Sequence, residues 1–149
     1  MNYIAQISRN SVLWVSILSW FTAQVLKIVI TLFEEHRLDL KLFFASGGMP
    51  SSHSSFVTAL AVSIGQLYGY DSPFFAIAAV FSFIVMYDAA HVRLQAGKQA
   101  VMINQIIEIL GNPNLNPEQR LKEILGHTPV QVAAGAILGV VIALIFFGV

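Results

Sequence analysis

Long apolar stretches separated by short polar breaks dominate the chain. A helix needs about 20 consecutive apolar residues to cross the hydrocarbon core of a bilayer. Four stretches reach or approach this length, at residues 11–33, about 53–68, 73 to about 91, and 128–149. The second is short, at the lower end of what spans a bilayer. The pattern predicts an all-α fold, an integral membrane bundle of four transmembrane helices.

The breaks between these stretches contain residues that start helices. The run Gly47-Gly48-Met49-Pro50 interrupts the chain before the second helix. Ser51 or Ser52 can then cap that helix by accepting a hydrogen bond from a free backbone N–H. Ser72-Pro73 and Thr128-Pro129 each have the pattern of a cap followed by a first-turn proline. These residues predict where the second, third and fourth helices begin.

The segment between the third and fourth stretches, about residues 92–127, is predicted to add one or two short interfacial helices. Residues 100–110 are apolar with few charges, which favours a helix lying at the interface or packed on the bundle. Residues 111–114 are predicted to turn, and a short helix then starts at Asn116-Pro117 and ends at Gly126. Since no internal repeat divides the chain, residues 1–149 are predicted to form a single membrane-embedded domain.

Composition supports the membrane assignment. Hydrophobic residues make up 56% of the chain and charged residues 11%, against about 25% charged residues in a soluble domain. The formal net charge is zero, so no nucleic-acid partner is expected. The chain has no cysteine, which excludes disulfides, thiolate metal sites and thiol nucleophiles.

The distribution of lysine and arginine predicts the orientation of the helices, because cytoplasmic loops are enriched in these residues. One side holds both termini and the loop near Asp71, and Arg9 is its only lysine or arginine. The other side holds Arg37, Lys41, Arg93, Lys98, Arg120 and Lys122. We therefore expect both termini outside and the two long loops in the cytoplasm, with the plasma membrane as the location.

Residues suited to chemistry gather on the predicted cytoplasmic side. His53 lies at the start of the second helix and His127 just before the fourth. Two helix N-termini directed at one place favour an anion, through their free N–H groups and dipoles. Lys27 lies about 9 Å below the end of the first helix, where a lysine either reaches the surface or turns inward. The candidate phosphate ligands are Lys27, Ser51, Ser52, Arg93 and Lys98.

The two histidines suit phosphoryl transfer. One imidazole would attack phosphorus and the other would protonate the leaving oxygen, since the ordinary pKa of histidine, about 6.5, serves both tasks. The positive end of a helix dipole should lower the pKa of a histidine beside it. Such a histidine stays neutral and nucleophilic.

The run Pro50-Ser51-Ser52-His53-Ser54 resembles the Pro-Ser-Gly-His motif of the phosphatidic acid phosphatase type 2 superfamily, which includes lipid phosphatases and vanadium haloperoxidases. Residues 127–135 resemble its third motif, in which the nucleophilic histidine precedes a transmembrane helix. From Lys27 onward the chain is similar to the small divergent branch of that superfamily. The residues of this similarity are Gly47-Gly48-Met49-Pro50, Arg93, Ala96-Gly97-Lys98-Gln99-Ala100 and Leu125-Gly126-His127-Thr128-Pro129.

The resemblance implies a role for each matching residue. His127 would be the nucleophile, His53 the general acid, and Ser51 with nearby N–H groups would hold the phosphate, while Lys27 would stand for the first-motif lysine. The implied activity is metal-independent hydrolysis of a lipid phosphate or diphosphate, such as phosphatidic acid or a prenyl diphosphate, through a phosphohistidine. No metal or cofactor is expected, and the expected partners are the lipid phosphate and the surrounding membrane lipids.

The chain departs from the superfamily motifs at Ser52, Glu34, Leu121 and Gln131, which replace a glycine, two arginines and an aspartate respectively. Glutamine can hold one tautomer of the nucleophilic histidine but cannot stabilise its charged form by charge. Loss of an orienting aspartate costs about 10⁴ in rate in a serine protease. Arg93 and Lys98 are candidate replacements for the missing arginines.

These departures favour an alternative function, a non-catalytic binder or carrier of an anionic phospholipid or phosphate. A purely structural role is a third possibility and haloperoxidase chemistry a weak fourth. Gln131 also has the spacing to complete a capping box with Thr128. Asp88 is a supporting site residue or the structural partner of Arg93 or Lys27.

Gly135-x-x-x-Gly139 is expected to let the fourth helix pack closely on a neighbour. The same two glycines are a plausible contact face for a homo-oligomer.

Overall fold

The computed structural model describes residues 2–36, 43, 48–109 and 126–148. Every regular element in these residues is helical, which confirms the all-α class. A π-helical turn, Asp88–Val92, joins two of the helices. The helices are α1 (Tyr3–Ser8), α2 (Ser11–Glu35), α3 (Ser52–Tyr68), α4 (Pro73–Tyr87), α5 (Arg93–Ile109) and α6 (Pro129–Phe147).

The predicted helix starts are confirmed. Ser51, not Ser52, caps α3, and its hydroxyl accepts a hydrogen bond from the backbone N–H of Ser54 at 3.4 Å. Ser72 caps α4 and Thr128 caps α6 in the same way, each followed by a first-turn proline. Each cap satisfies one of the N–H groups that a helix N-terminus leaves without an intrahelical acceptor.

The third predicted helix continues well beyond its expected end near residue 91. The helical run is uninterrupted through α4, the π-helical turn and α5, and it spans 36 residues from Pro73 to Glu108. Arg93 and Lys98 end the apolar stretch, but arginine and lysine are good helix formers and do not end a helix. Residues 100–109 are therefore the second half of α5 and not a separate helix. The predicted turn at 111–114 and the short helix after it lie outside the described residues, as do Arg37, Lys41, Arg120 and Lys122.

Within the described residues, three helical runs are long and apolar enough to cross a membrane: Ser11–Glu34, Pro73–Glu108 and Pro129–Phe147. The 17-residue α3 is not among them. The structure thus establishes three candidate membrane spans, and the fourth predicted span is α3. The helical run from Pro73 to Glu108 measures about 54 Å at 1.5 Å per residue. This length exceeds the hydrocarbon thickness of about 30 Å. If α4 crosses the bilayer, part of α5 therefore extends beyond the hydrocarbon core.

The limited apolarity of α3 follows from its place at the centre of the bundle, in contact with α2, α4 and α6. Small side chains at its buried positions let the neighbouring helices approach closely, as small residues do in membrane bundles. Serine hydroxyls join the helices: the Oγ atoms of Ser19 and Ser55 lie 2.6 Å apart, and Ser82 donates to the carbonyl of Val57 at 2.8 Å. The buried positions of α3 are Ser52, Ser54, Ser55, Val57, Ala59, Ala61, Ser63 and Gly65.

Two glycines of α6 set the distance between α6 and α3. A Cβ on Gly135 would overlap the carbonyl oxygen of Ser51, and a Cβ on Gly139 would overlap that of Ser55. The predicted close packing of Gly135 and Gly139 is confirmed. Because α3 covers both glycines, the suggestion that they form an oligomer face is wrong.

This packing predicts that Gly139→Val destabilises the bundle, whereas Ala133→Val, at an exposed position of the same helix, does not. The two nearest atoms that obstruct a side chain at Gly139 are backbone atoms of α3, which move only if the helices separate. Overpacking of this kind costs about 1–3 kcal/mol. Thermal unfolding in detergent would measure the difference. Equal midpoints for the two variants would contradict the α3–α6 contact.

Candidate active site

The N-termini of α3 and α6 lie side by side. The backbone N–H of Ser51 donates to the carbonyl of Gln131 in the first turn of α6, at 3.0 Å. The two helices therefore direct their positive ends to one end of the bundle. Partial positive charge from both dipoles favours an anion there, as the sequence predicted for this pair of helix starts.

Lys27 turns into the protein and does not reach outward, since only 2% of its surface is exposed. Its Nζ donates to Oε1 of Gln24 at 2.8 Å, and Nε2 of Gln24 donates to the carbonyl of Phe43 at 2.8 Å. The stem of Lys27 packs on Gly48, where a Cβ would lie 3.0 Å from its Cγ and Cδ. Gly48 has a φ of +79°, in the left-handed region that favours glycine. Gly48 therefore makes room for an inward lysine in the loop before α3.

His127 is buried, with 4% of its surface exposed, and its backbone N–H donates to the carbonyl of Ala89 in the π-helical turn at 3.1 Å. Its Nδ1 lies 3.3 Å from Oε1 of Gln131. That oxygen also accepts from the backbone N–H of Thr128 at 3.0 Å. Because an N–H donor identifies the Gln131 atom as oxygen, the tautomer of neutral His127 with its proton on Nδ1 satisfies this contact. In that tautomer the lone pair lies on Nε2.

Gln131 thus has both roles considered for it. It completes the capping box of α6 with Thr128, and the same oxygen faces the His127 ring. As a neutral acceptor it selects a tautomer without adding the negative charge of a carboxylate.

Burial is the largest effect on the pKa of His127, and it lowers that pKa below the ordinary value. The charges of Lys27 and His53 lower it further, while the hydrogen bond to Gln131 and the backbone of Gly48 oppose the change. The expected direction is confirmed. The main cause is burial and not the helix terminus that the sequence suggested. His127 is therefore neutral at pH 7.

His53 occupies the second position of α3, with an exposed ring. Lys27, Arg93 and Asp88 are all near enough to His53 for their charges to act on its ring. His53 is in turn near enough to His127 for its charge to act on that ring. The structure therefore brings both histidines and the buried lysine together at the paired helix starts.

Asp88 and Arg93 form an ion pair, with Nε of Arg93 2.8 Å from Oδ2 of Asp88. Side chains five residues apart on an α-helix point about 140° apart. The wider π-helical turn between these two residues brings them onto one face. Of the two partners considered for Asp88, the structure selects Arg93. The bond uses Nε alone, so the terminal nitrogens of the guanidinium remain available to an anion.

The other predicted phosphate ligands, Ser51, Ser52 and Lys98, differ in burial and in distance from the histidines. The Ser51 hydroxyl is fully buried and accepts from Ser54, so it acts first as a helix cap. Ser52 is 2% exposed, and its hydroxyl bonds to no other described residue. Lys98 is exposed on α5 and has no hydrogen bond or ion pair with the described part of the chain. The structure does not bring Lys98 to the histidines.

Two contributors to the site were not predicted. Gln24 holds Lys27, and a polar residue three positions before an intramembrane lysine is a signal that the sequence did contain. Gly126 lies against the backbone of Arg93 and Leu94 so closely that a Cβ would overlap it. Among the described residues, no group of three histidine, aspartate or glutamate side chains is placed to hold a metal ion.

Residues 8–142 match the divergent PAP2 family. The chain belongs to that family. It is 39% identical over 134 residues to the uncharacterized membrane protein YuiD of Bacillus subtilis (strain 168), a match that covers 83% of this chain and 85% of that protein. No solved structure matches the chain. The family resemblance predicted from the histidine motifs is confirmed, and the chain is a membrane protein of this divergent PAP2 family.

The contact between Gln131 and His127 predicts how substitutions shift the pKa of His127. Gln131→Glu places a carboxylate beside Nδ1 and should raise that pKa, because negative charge stabilises the imidazolium. Gln131→Met removes the acceptor and should lower it. Imidazole NMR titration in detergent would measure all three proteins, with the wild-type midpoint below the ordinary value of about 6.5. Identical midpoints would show that Gln131 does not face the ring.

Proposed function

We propose that this protein is a membrane lipid phosphatase that hydrolyses a lipid phosphate or diphosphate without a metal ion, through a phosphohistidine on His127. The observation that supports this function best is the buried, neutral His127 with its lone pair on Nε2, beside Lys27 and His53 at two helix N-termini. Membership of the divergent PAP2 family supports the same class of chemistry.

The phosphate would bind where the dipoles of α3 and α6 converge. The backbone N–H groups in the first turn of α3, at Ser52 and His53, have no intrahelical acceptor and can donate to phosphate oxygens. Lys27 supplies buried positive charge, and Arg93 supplies terminal guanidinium donors from its pair with Asp88. These donors and cations match a group with several anionic oxygens.

In the first step, Nε2 of His127 forms a bond to phosphorus while the bond from phosphorus to the leaving oxygen breaks. Protonated His53 gives its proton to that oxygen, which leaves as the lipid alcohol or, from a diphosphate, as the lipid monophosphate. In the second step, His53 takes a proton from water, whose oxygen attacks phosphorus and releases inorganic phosphate and free His127. Throughout, Gln131 keeps the Nδ1 proton in place.

A non-catalytic binder or carrier of phosphate or an anionic phospholipid is the second candidate. One observation favours it: the residue that faces Nδ1 of His127 is a neutral amide. A neutral amide would slow turnover more than it would weaken binding, because the charged phosphohistidine receives no compensating carboxylate.

We further propose that α3 crosses the bilayer as the fourth span, with the site at the cytoplasmic side of the plasma membrane and both termini outside. At 1.5 Å per residue its 17 residues measure about 26 Å, close to the hydrocarbon thickness of about 30 Å. Its serines are sheltered by α2, α4 and α6, so it does not need an apolar surface on every side.

The function predicts release of inorganic phosphate from lipid phosphates in liposomes without added metal. His127→Ala and His53→Ala should each reduce the rate by about a hundredfold or more, since they remove the nucleophile and the general acid. His91→Ala is the matched control, because His91 is exposed and its ring stacks on Tyr87. Retained activity in His127→Ala would rule out a phosphohistidine there. Phosphate binding without release by the wild type would support the carrier.

The topology predicts opposite labelling of two positions that flank α3, one at the end of α2 and one in the loop before α4. Because the chain has no cysteine, Glu34→Cys and Asp71→Cys each introduce a single reporter, at exposed positions before and after α3. A membrane-impermeant maleimide should label Asp71→Cys in intact cells and Glu34→Cys only after permeabilisation. Labelling of both from the same side would show that α3 does not cross.

A further inference from the structure

An apolar groove lies against the candidate site, on the face of α3 between α2 and α4. Its volume is about 510 Å³. Ile17 and Trp20 line it from α2, Phe56 from α3, and Phe81 and Val85 from α4. Of the described residues that line it, His53 is the one with an ionisable side chain.

A second apolar groove, of about 410 Å³, continues along the same three helices toward the opposite end of the bundle. Leu13 of α2, Leu60 and Ile64 of α3, and Phe74 of α4 are among its lining residues. Together the lining residues of α3 form one stripe with helical spacing, from His53 to Tyr68. The stripe is about 22 Å long at 1.5 Å per residue.

His53 connects this stripe to the polar site. Its exposed ring lines the first groove, and Lys27 and Arg93 are near enough to act on it electrostatically. An apolar groove that opens directly onto a cationic pocket matches a molecule in which one hydrocarbon chain is bonded to a phosphate. The stripe is longer than one leaflet of hydrocarbon, about 15 Å or half of the core, so it suits a long single chain.

We infer that this groove binds the hydrocarbon chain of the lipid whose phosphate occupies the site, with His53 at the boundary between chain and headgroup. The inference rests on the proposed function and assigns its substrate class, a phosphate on a long single chain lying along α3. Lipid tails are as apolar as the groove, so hydrophobicity gives no preference within a bilayer. Selection then depends on the fit of the chain among the side chains that line the groove.

The test compares the binding of hexadecyl phosphate, ethyl phosphate and inorganic phosphate to the full chain in nanodiscs of a zwitterionic lipid. Val85→Trp fills the groove, and Ile84→Trp is the matched control because Ile84 is 59% exposed at the neighbouring position of α4 and does not line the groove. Val85→Trp should weaken the binding of hexadecyl phosphate about tenfold, which is in the range of a steric overpacking penalty. It should leave the affinity for inorganic phosphate unchanged. Ile84→Trp should change neither affinity. Ile17→Trp fills the groove from α2 and replaces Val85→Trp if that variant misfolds.

Unchanged hexadecyl phosphate affinity in the groove-filling variants, or hexadecyl phosphate binding no tighter than ethyl phosphate in the wild type, overturns the inference and leaves the phosphate site intact. Failure of the wild type to bind any of the three phosphates overturns both the inference and the proposed function. A groove-filling variant that changes oligomeric state and not chain affinity shows that a second copy of the protein occupies the groove, which also overturns it.

Discussion

The contact between the start of α3 and the first turn of α6 determines where every candidate catalytic group lies. The Ser51 N–H bonds to the carbonyl of Gln131, and Gly135 lies against the carbonyl of Ser51 with no space for a side chain. In a bilayer, hydrophobicity does not hold helices together, so close backbone approach and interhelical hydrogen bonds must do so. Here the same approach joins two helix N-termini, and two dipoles then favour an anion at one place.

The π-helical turn at Asp88–Val92 contributes a second constraint. It brings Asp88 and Arg93 onto one face, and its Ala89 carbonyl accepts the backbone N–H of His127. Turns of this kind are frequent at functional sites. A single irregularity in a long helical run therefore holds His127 and places Arg93 on the same face as Asp88.

Much of this arrangement followed from local sequence patterns. The caps at Ser51, Ser72 and Thr128, the two histidines at helix starts and the small-residue packing of α6 are all short-range signals. Helix continuation past Arg93 was missed because the charges marked the end of the apolar stretch and not of the helix. The π-helical turn and the displacement of Lys98 from the histidines depend on helix register, which composition does not reveal. The inward turn of Lys27 depends on Gly48, a contact between distant segments.

Under the proposed function, a neutral Gln131 in place of an orienting carboxylate predicts a slow catalyst. Gln131 selects the tautomer and burial keeps His127 neutral, which favours attack on phosphorus. No negative side chain contacts the ring among the described residues to stabilise the charge that follows, so slow turnover is expected.

Covalent trapping of the intermediate tests the central claim most directly. Protein mixed with a lipid phosphate carrying a radiolabelled phosphoryl group would be quenched with alkali at early times and mapped by mass spectrometry. An alkali-stable, acid-labile label on His127 is the expected result. Release of labelled phosphate with no label on His127 at any time would contradict it.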